Sequence, residues 1–363
     1  MCSGEGRSVG LSAPRLTVQG SGLRRSTGSL IEACSRLARI PTASFRKPQL
    51  PQLRRWLAPL LALLALLGLT TPAAAWWEYG HQTVAEIAMS QVQPLTRADI
   101  LALLKQDKKL ETPTCPAHTI EQASVWPDCI KTLGDRFSYV FAWHFQDVET
   151  CKPFDTKSAC ANGACVSAQI ARAQRMLADR KLPARDRLTA LALLVHFVGD
   201  LHQPLHAVEH DNDQGGNKVK ASYGAVTGTN LHSIWDGLLA DRAISTAPPG
   251  PKGILSEISS EQRKALAAGT IEDWGRESWE IAKTDVYGPV EKDICAPTPK
   301  TPVVMDEATI EKEVPVLRLQ IAKGGLRLAR LLDEALDGDH PEVAHPPKPP
   351  KVIPVVAPTT PAS

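Results

Sequence analysis

From His196 to His206 the chain reads HFVGDLHQPLH, and this stretch could do metal chemistry. His196 and Asp200 are four residues apart, which on a helix puts them on one face, a turn apart. Pro204 then breaks the helix, so His206 can turn back toward the same cavity. A second stretch, NLHSIWDG, repeats the spacing with His232 and Asp236. Imidazole and carboxylate in this pattern suit a divalent metal of the zinc type. A buried helix with paired polar groups would account for one His and one Asp. It does not account for two such helices and a His-containing turn, because buried polar groups without partners are costly. His81, Asp128 and His144 extend the candidate set. His202 is two residues from Asp200, so it faces elsewhere and reads as structural.

The elements that must hold these residues are mostly helical in period. An amphipathic stretch runs from Thr83 to Val92. A helix is expected over Arg97–Lys108, with Thr96 as its N-cap. Ser167–Arg180 and Ala184–His202 follow, then a helix resuming at Leu231, then Ile271–Thr284 and Glu307–Leu336 with Pro315 inside it. Asp155–Gly163 reads as a loop. His210–Thr229 (HDNDQGGNKVKASYGAVTGT) is polar and Gly-containing, and reads as a loop or hairpin at a site mouth. Strand patterns are few, and the expected fold is mainly α, a single domain over 76–337.

The ends of the chain differ in character. Residues 1–52 are rich in Arg, Ser and Gly and read as a disordered or misassigned extension. Residues 53–75 carry Arg54 and Arg55, an apolar run from Leu57 to Leu69, and Ala73-Ala74-Ala75. These are the three parts of a signal peptide, cut after Ala75; a transit peptide is the alternative. Residues 338–363 are Pro-rich and read as a disordered tail. Cleavage after Ala75 would free the α-amino group of Trp76, which with its carbonyl could chelate a metal beside His81. An uncut amide could not.

The 363 residues include 41 Lys+Arg and 39 Asp+Glu. Residues 1–75 hold 10 of the basic and 2 of the acidic ones, which leaves 31 basic against 37 acidic, net −6, for the other 288. That excludes a nucleic-acid binder relying on a basic surface. An anionic substrate would need its positive charge from bound metal. Six cysteines follow residue 75, namely Cys115, Cys129, Cys151, Cys160, Cys165 and Cys295. An even number in an exported chain suggests up to three disulfides whose pairing spacing alone leaves open.

Read in order, the motifs resemble the zinc-dependent S1/P1 nucleases. They are Trp76 and His81 (W-x4-H), Trp126 and Asp128 (W-x-D), His144-Phe145, the HQPLH stretch, Gly215-Gly216-Asn217, and His232 to Asp236 (H-x-x-WD). The resemblance implies a mainly helical, zinc phospholipase C-like fold and three Zn(2+) ions. Asp128, His144, His196 and Asp200 would hold one. Trp76, His81 and Asp200 would hold a second, and His206, His232 and Asp236 a third. It implies Lys131, Asp128 and Asp200 as catalytic residues, with Lys131 the cation near the phosphate, and Phe145, Asp147, Gly215 and Asn217 as the base pocket. It further implies the disulfides Cys160–Cys165 and Cys151–Cys295, which leaves Cys115 with Cys129. The activity implied is hydrolysis of single-stranded DNA and RNA to 5′-phosphate products, with 3′-nucleotidase activity. The substrates implied are single-stranded nucleic acid and nucleotides. The enzyme would be a bacterial, secreted or periplasmic monomer with no membrane anchor after processing. The alternatives are a zinc phospholipase C, against which Asp236 stands where that family has Glu, and a non-catalytic periplasmic zinc-binding protein. His118, His210, His340 and His345 match no motif and read as solvent-exposed.

Overall fold

The structure, a computed structural model, describes residues 76–291 and 293–336. The expected extension, signal peptide and Pro-rich tail, with His340 and His345, lie outside these residues. The described chain is mainly helical, with one small three-stranded sheet. Among the described residues no helix is long and apolar enough to cross a membrane.

The helices that build the site are α1 (Glu78–Gln91), α2 (Pro94–Leu104), α3 (Ile120–Ile130), α4 (Val166–Ala178) and α5 (Ala184–Leu201). After the hairpin β1 (Lys220–Tyr223) and β2 (Val226–Asn230) come α6 (Leu239–Ser245), α7 (Gly250–Ser256), α8 (Ser260–Leu266) and α9 (Ile271–Ile281). Strand β3 (Val303–Met305) and the long α10 (Glu307–Leu336) complete it. Helix α5 is the centre: every residue from Ala190 to Leu201 is buried. A helix apolar all round must be enclosed on every side. Here α1, α3, α4 and α10 enclose it. Each fully buried Leu or Val in such a helix stabilises by roughly 1.5–3 kcal/mol. Close approach of α1 to α10 needs Gly325, where a Cβ would collide with Ile87.

The sheet has the order β2-β1-β3. β1 and β2 are antiparallel, with Ala221 opposite Thr229, and β3 runs parallel to β1, with Ala221 opposite Val303. Disulfides join Cys115 to Cys129, Cys151 to Cys295 and Cys160 to Cys165. The first of these clasps α3, whose Trp126 also donates its indole N–H to Thr112 Oγ1 at 2.9 Å.

Several local expectations change. α2 begins at Pro94, with Gln93 at the N-cap and no side-chain cap, and Thr96 is buried in its first turn. Proline at the first helical position presets φ and has no N–H to satisfy, so no Thr cap is needed. The stretch 155–163 contains a helical turn at Thr156–Ala159 and a 3-10 turn. The segment from Leu231 is one α turn, Leu231–Ser233, then a π-helical stretch, Ile234–Leu238, before α6. α10 runs through Pro315. His210 is buried: its Nδ1 lies 3.0 Å from Thr150 Oγ1 and its Nε2 3.0 Å from a Glu291 carboxylate oxygen. These partners hold what would otherwise be a costly buried imidazole. His118 is exposed, its ring 2.9 Å from Asp107.

Candidate functional site

The C-terminal end of α5 delivers His196 and Asp200 to one buried point, and the 3-10 turn Pro204–Ala207 brings His206 back to it. Gln203 makes that turn. Its side-chain oxygen accepts the Leu205 N–H at 2.6 Å, and its amide donates to Asp236. His81 arrives from α1, Asp128 from α3 and His144 from the end of the 3-10 segment Lys131–Trp143. His202 points away: its Nδ1–H donates to the Val198 carbonyl and its Nε2 faces Arg327. It is a structural histidine.

Eight side chains collect into three groups able to hold a metal ion: His81, His196 and Asp200; Asp128, His144 and His196; His206, His232 and Asp236. By side-chain geometry His196 belongs to two groups. Asp200 spans them, with Oδ1 3.5 Å from His81 Nε2 and Oδ2 3.0 Å from His144 Nδ1 and 3.2 Å from His196 Nε2. In the third group His232 Nε2 lies 2.9 Å from Asp236 Oδ2, and His206 Nε2 is 3.6 Å from Asp236 Oδ1.

Backbone carbonyls orient three of the rings. His196 Nδ1–H donates to Ser124 at 2.6 Å, His206 Nδ1–H to His144 at 2.9 Å, and His232 Nδ1–H to Gly215 at 2.7 Å. Each bond leaves Nε2 as the lone-pair atom facing its group, the usual support for a ligating imidazole.

The donors fit metal ions. His144 Nε2, Asp200 Oδ1 and His206 Nε2 are buried and make no hydrogen bond among the described residues, a state that is expensive unless another partner satisfies them. Burial, reinforced by His196, pushes His81 down to about 3, and burial pushes His144 down to about 4. Burial alone would raise Asp200, yet His196 and His206 outweigh it and hold the carboxyl well below its ordinary range. Asp236 is likewise depressed: burial is overcome by His232 and His206. Neutral imidazoles and ionised carboxylates are the forms that bind metal; His206, which burial would lower but Asp200 and Asp236 raise to about 9, would give up its proton on binding the ion.

Above these groups opens a cavity of about 380 Å³. His144, His206 and His232 reach it, and Lys131, Phe145, Asp147, Gly215 and Asn217 line it. Lys131 Nζ sits 2.5 Å from Asp128 Oδ1, so its charge is anchored beside one metal group. The polar stretch after His210 does form a loop and hairpin here, with Gly215 and Asn217 in the loop before β1. Phe141 and Gln214 also line the cavity. Neither matched a motif, although Gln214 adjoins Gly215 and Phe141 lies in an aromatic-rich run. Gln203 was visible only as a letter of HQPLH.

Trp76 is fully buried, its indole packed on Gly80, where a Cβ would collide with the ring. The next residue is fastened to the third group: Trp77 N–H donates to the Asp236 carbonyl at 3.0 Å. Gly237 permits this, since a Cβ there would strike the Trp77 ring.

Comparison with known proteins finds a family for the chain. The family model described as S1/P1 Nuclease matches residues 76–337. Nuclease S1 of Aspergillus oryzae is 28% identical over 292 residues, covering 75% of this chain and 94% of its own. Endonuclease 3 of Arabidopsis thaliana is 27% identical over 297 residues, covering 77% and 95%. Nuclease P1 of Penicillium citrinum is 26% identical over 274 residues, covering 71% and 97%.

Proposed function

The chain belongs to the S1/P1 nuclease family, hydrolases of phosphodiester bonds, and from that premise we propose that it is an exported, trinuclear zinc enzyme that cleaves single-stranded DNA and RNA to 5′-phosphate products, with 3′-nucleotidase activity. The observation that carries this reading is the set of three His/Asp groups, two of which reach, through His144, His206 and His232, one cavity of about 380 Å³ that has both a cation and an aromatic ring in its wall.

Asp128, His144, His196 and Asp200 would hold one zinc, and His206, His232 and Asp236 another. His81 and Asp200, with the freed amine and carbonyl of Trp76, would hold the third. Bound zinc supplies Lewis acidity toward the phosphate and makes water a nucleophile near neutral pH. The chain's own residues do the rest. Lys131 presents its ammonium to the phosphate oxygens where negative charge develops, the kind of preorganised charge that lowers a barrier most. Phe145, 38% exposed, offers a ring face on which a base stacks, worth about 1–3 kcal/mol. Asp147 and Asn217, with the backbone at Gly215, meet the base edge. A base can enter such a cavity only when unstacked, which selects single strands.

We take the mature enzyme to begin at Trp76, after removal of a signal peptide, and to act as a monomer. The test is a substrate panel with that form: single-stranded DNA, RNA, 3′-nucleotides and phosphatidylcholine, each with and without EDTA. Metal-dependent turnover of single strands is expected. Turnover of the lipid alone would instead mark a phospholipase C, and metal binding without turnover of any substrate would mark a zinc-binding protein.

A further inference from the structure

The run FSYVFAWHF places an aromatic residue at every second position: Phe137, Tyr139, Phe141, Trp143 and Phe145. Only the last has been given a role above. The run lies along the 3-10 segment Lys131–Trp143, which is broken at Gly134 (φ 75°) and ends at the metal-group residue His144. Such turns do not point alternate residues to one side, so the five rings divide between interior and surface. Phe137 is buried and meets Trp126 edge-to-face at 6.2 Å. It anchors the segment to α3. Tyr139 and Phe141 are each 54% exposed.

Phe141 opens onto the cavity, and Tyr139 lies two residues before it along the exposed run. Phe141 is in the cavity wall with Phe145, and the Lys131 ammonium lies 5.8 Å from the Phe141 ring centre. Tyr139 is held edge-on against Trp143, centroids 5.0 Å apart, and Trp143 is in turn covered by the Arg172 guanidinium at 5.4 Å. Arg136 is engaged with Glu111. Arg172 has no ion pair with a carboxylate among the described residues, so its charge is available to an anion. Exposed rings beside such a cavity, with a cation next to them, have the make-up of a single-strand track, in which rings stack on bases and cations meet the backbone.

We propose that Tyr139 and Phe141, supported by Trp143 and Arg172, form a stacking shelf that carries the nucleotides flanking the one in the cavity. This rests on the single-strand nuclease reading above and adds to it: the occupant is a single strand of several nucleotides, and longer strands are better substrates than dinucleotides. Phe145 then serves the cleaved nucleotide and the shelf serves its neighbours. The net charge of −6 for residues 76–363 makes stacking, rather than a broad basic face, the natural source of this added affinity.

The test compares kcat/KM on a dinucleotide and on a ten-nucleotide single strand for the wild type, Tyr139→Ala, Tyr139→Phe and Arg172→Gln. The binding of a fluorescent ten-nucleotide strand with hydrolysis-resistant phosphorothioate linkages to the metal-loaded protein is measured in parallel. The wild type should favour the longer strand. Tyr139→Ala should lower the long-to-short ratio and the binding on the order of tenfold, one lost stacking contact. Tyr139→Phe should keep both, since the ring face is what matters, and Arg172→Gln should lower binding most at low salt. A ratio and a binding constant unchanged in Tyr139→Ala, or a wild type with no preference for length, would overturn the shelf while leaving the nuclease intact. A wild type inactive on every single strand would instead overturn the reading on which the shelf rests.

Discussion

The carbonyl of Gly215 accepts the Nδ1–H of His232 at 2.7 Å. Gly215 lines the cavity, whereas His232 belongs to the third metal group. The loop that would read a base thus also aims a ligand. Substrate contacts and metal contacts would share one peptide group, so a change in the loop would not be confined to specificity.

Gly215→Ala tests that coupling. The residue has φ +57°, and a Cβ there would sit 2.5 Å from the Leu205 carbonyl oxygen. The loop must shift, and the His232 bond with it. Loss of such a ligand-orienting bond typically costs 10–100-fold in metal affinity or activity. We expect one metal ion fewer per chain, by elemental analysis at limiting zinc, and a nuclease rate reduced by that order. Full metal content and full rate would show that the loop adapts.

Asp200→Asn addresses a carboxylate placed to bridge two metal groups. One oxygen faces His81 and the other faces His144 and His196. The amide keeps the shape but removes the charge and one acceptor, so two metal ions should be lost from an expected three. Retention of two or more ions after extensive dialysis would mean that Asp200 does not bridge.

Adding one residue before Trp76 probes the chain terminus as a ligand. An amide nitrogen has no lone pair to give, so an added Met or Ala removes the donor that the terminus would supply. The extended protein should fold, lose one metal ion and lose activity by roughly a thousandfold or more, an increase of about 4 kcal/mol in barrier. If it keeps both metal content and rate, His81 and Asp200 hold their ion without the terminus.

The stability of metal-stripped protein should peak near neutral pH. Burial, reinforced by His196, holds folded His81 near 3, and burial holds His144 near 4, against about 6.5 in an unfolded chain. Below about 6.5 the unfolded state therefore binds protons that the folded state refuses, and stability falls as the pH drops. His206 behaves oppositely. Burial would lower it, but Asp200 and Asp236 raise it to about 9. Its contribution is fully present below about 6.5 and is lost as the pH rises through about 9. Urea midpoints across this range should trace a maximum near pH 6.5. A midpoint that rises steadily toward acid or toward alkali would contradict these assignments.

Helical spacing made most of the candidate centre legible. His196 with Asp200 and His232 with Asp236 are each i, i+4, and an apolar helix carrying such pairs announces a buried polar purpose. The HQPLH turn was legible because proline ends a helix. What stayed hidden was set by contacts distant in sequence. His210 is buried by Thr150 and Glu291, 60 residues before it and 81 after, and nothing in its local sequence signals them. The π-helical stretch Ile234–Leu238 has no residue type that specifies it, and it contains Asp236 and Gly237, the latter packed against Trp77. Phe141 was in plain view, but aromatic residues in a run read first as core, and only exposure beside the cavity distinguishes it.

The backbone bond from Trp77 N–H to the Asp236 carbonyl sets the first described residues against the helix that carries the third metal group. If the adjoining Trp76 amine completes the site, the newly made polypeptide is latent. It cannot attack the transcripts of the cell that translates it, because the scissors are finished only by the cut that accompanies export. Protection of the host would then need no inhibitor protein, since the order of synthesis, transport and trimming supplies it.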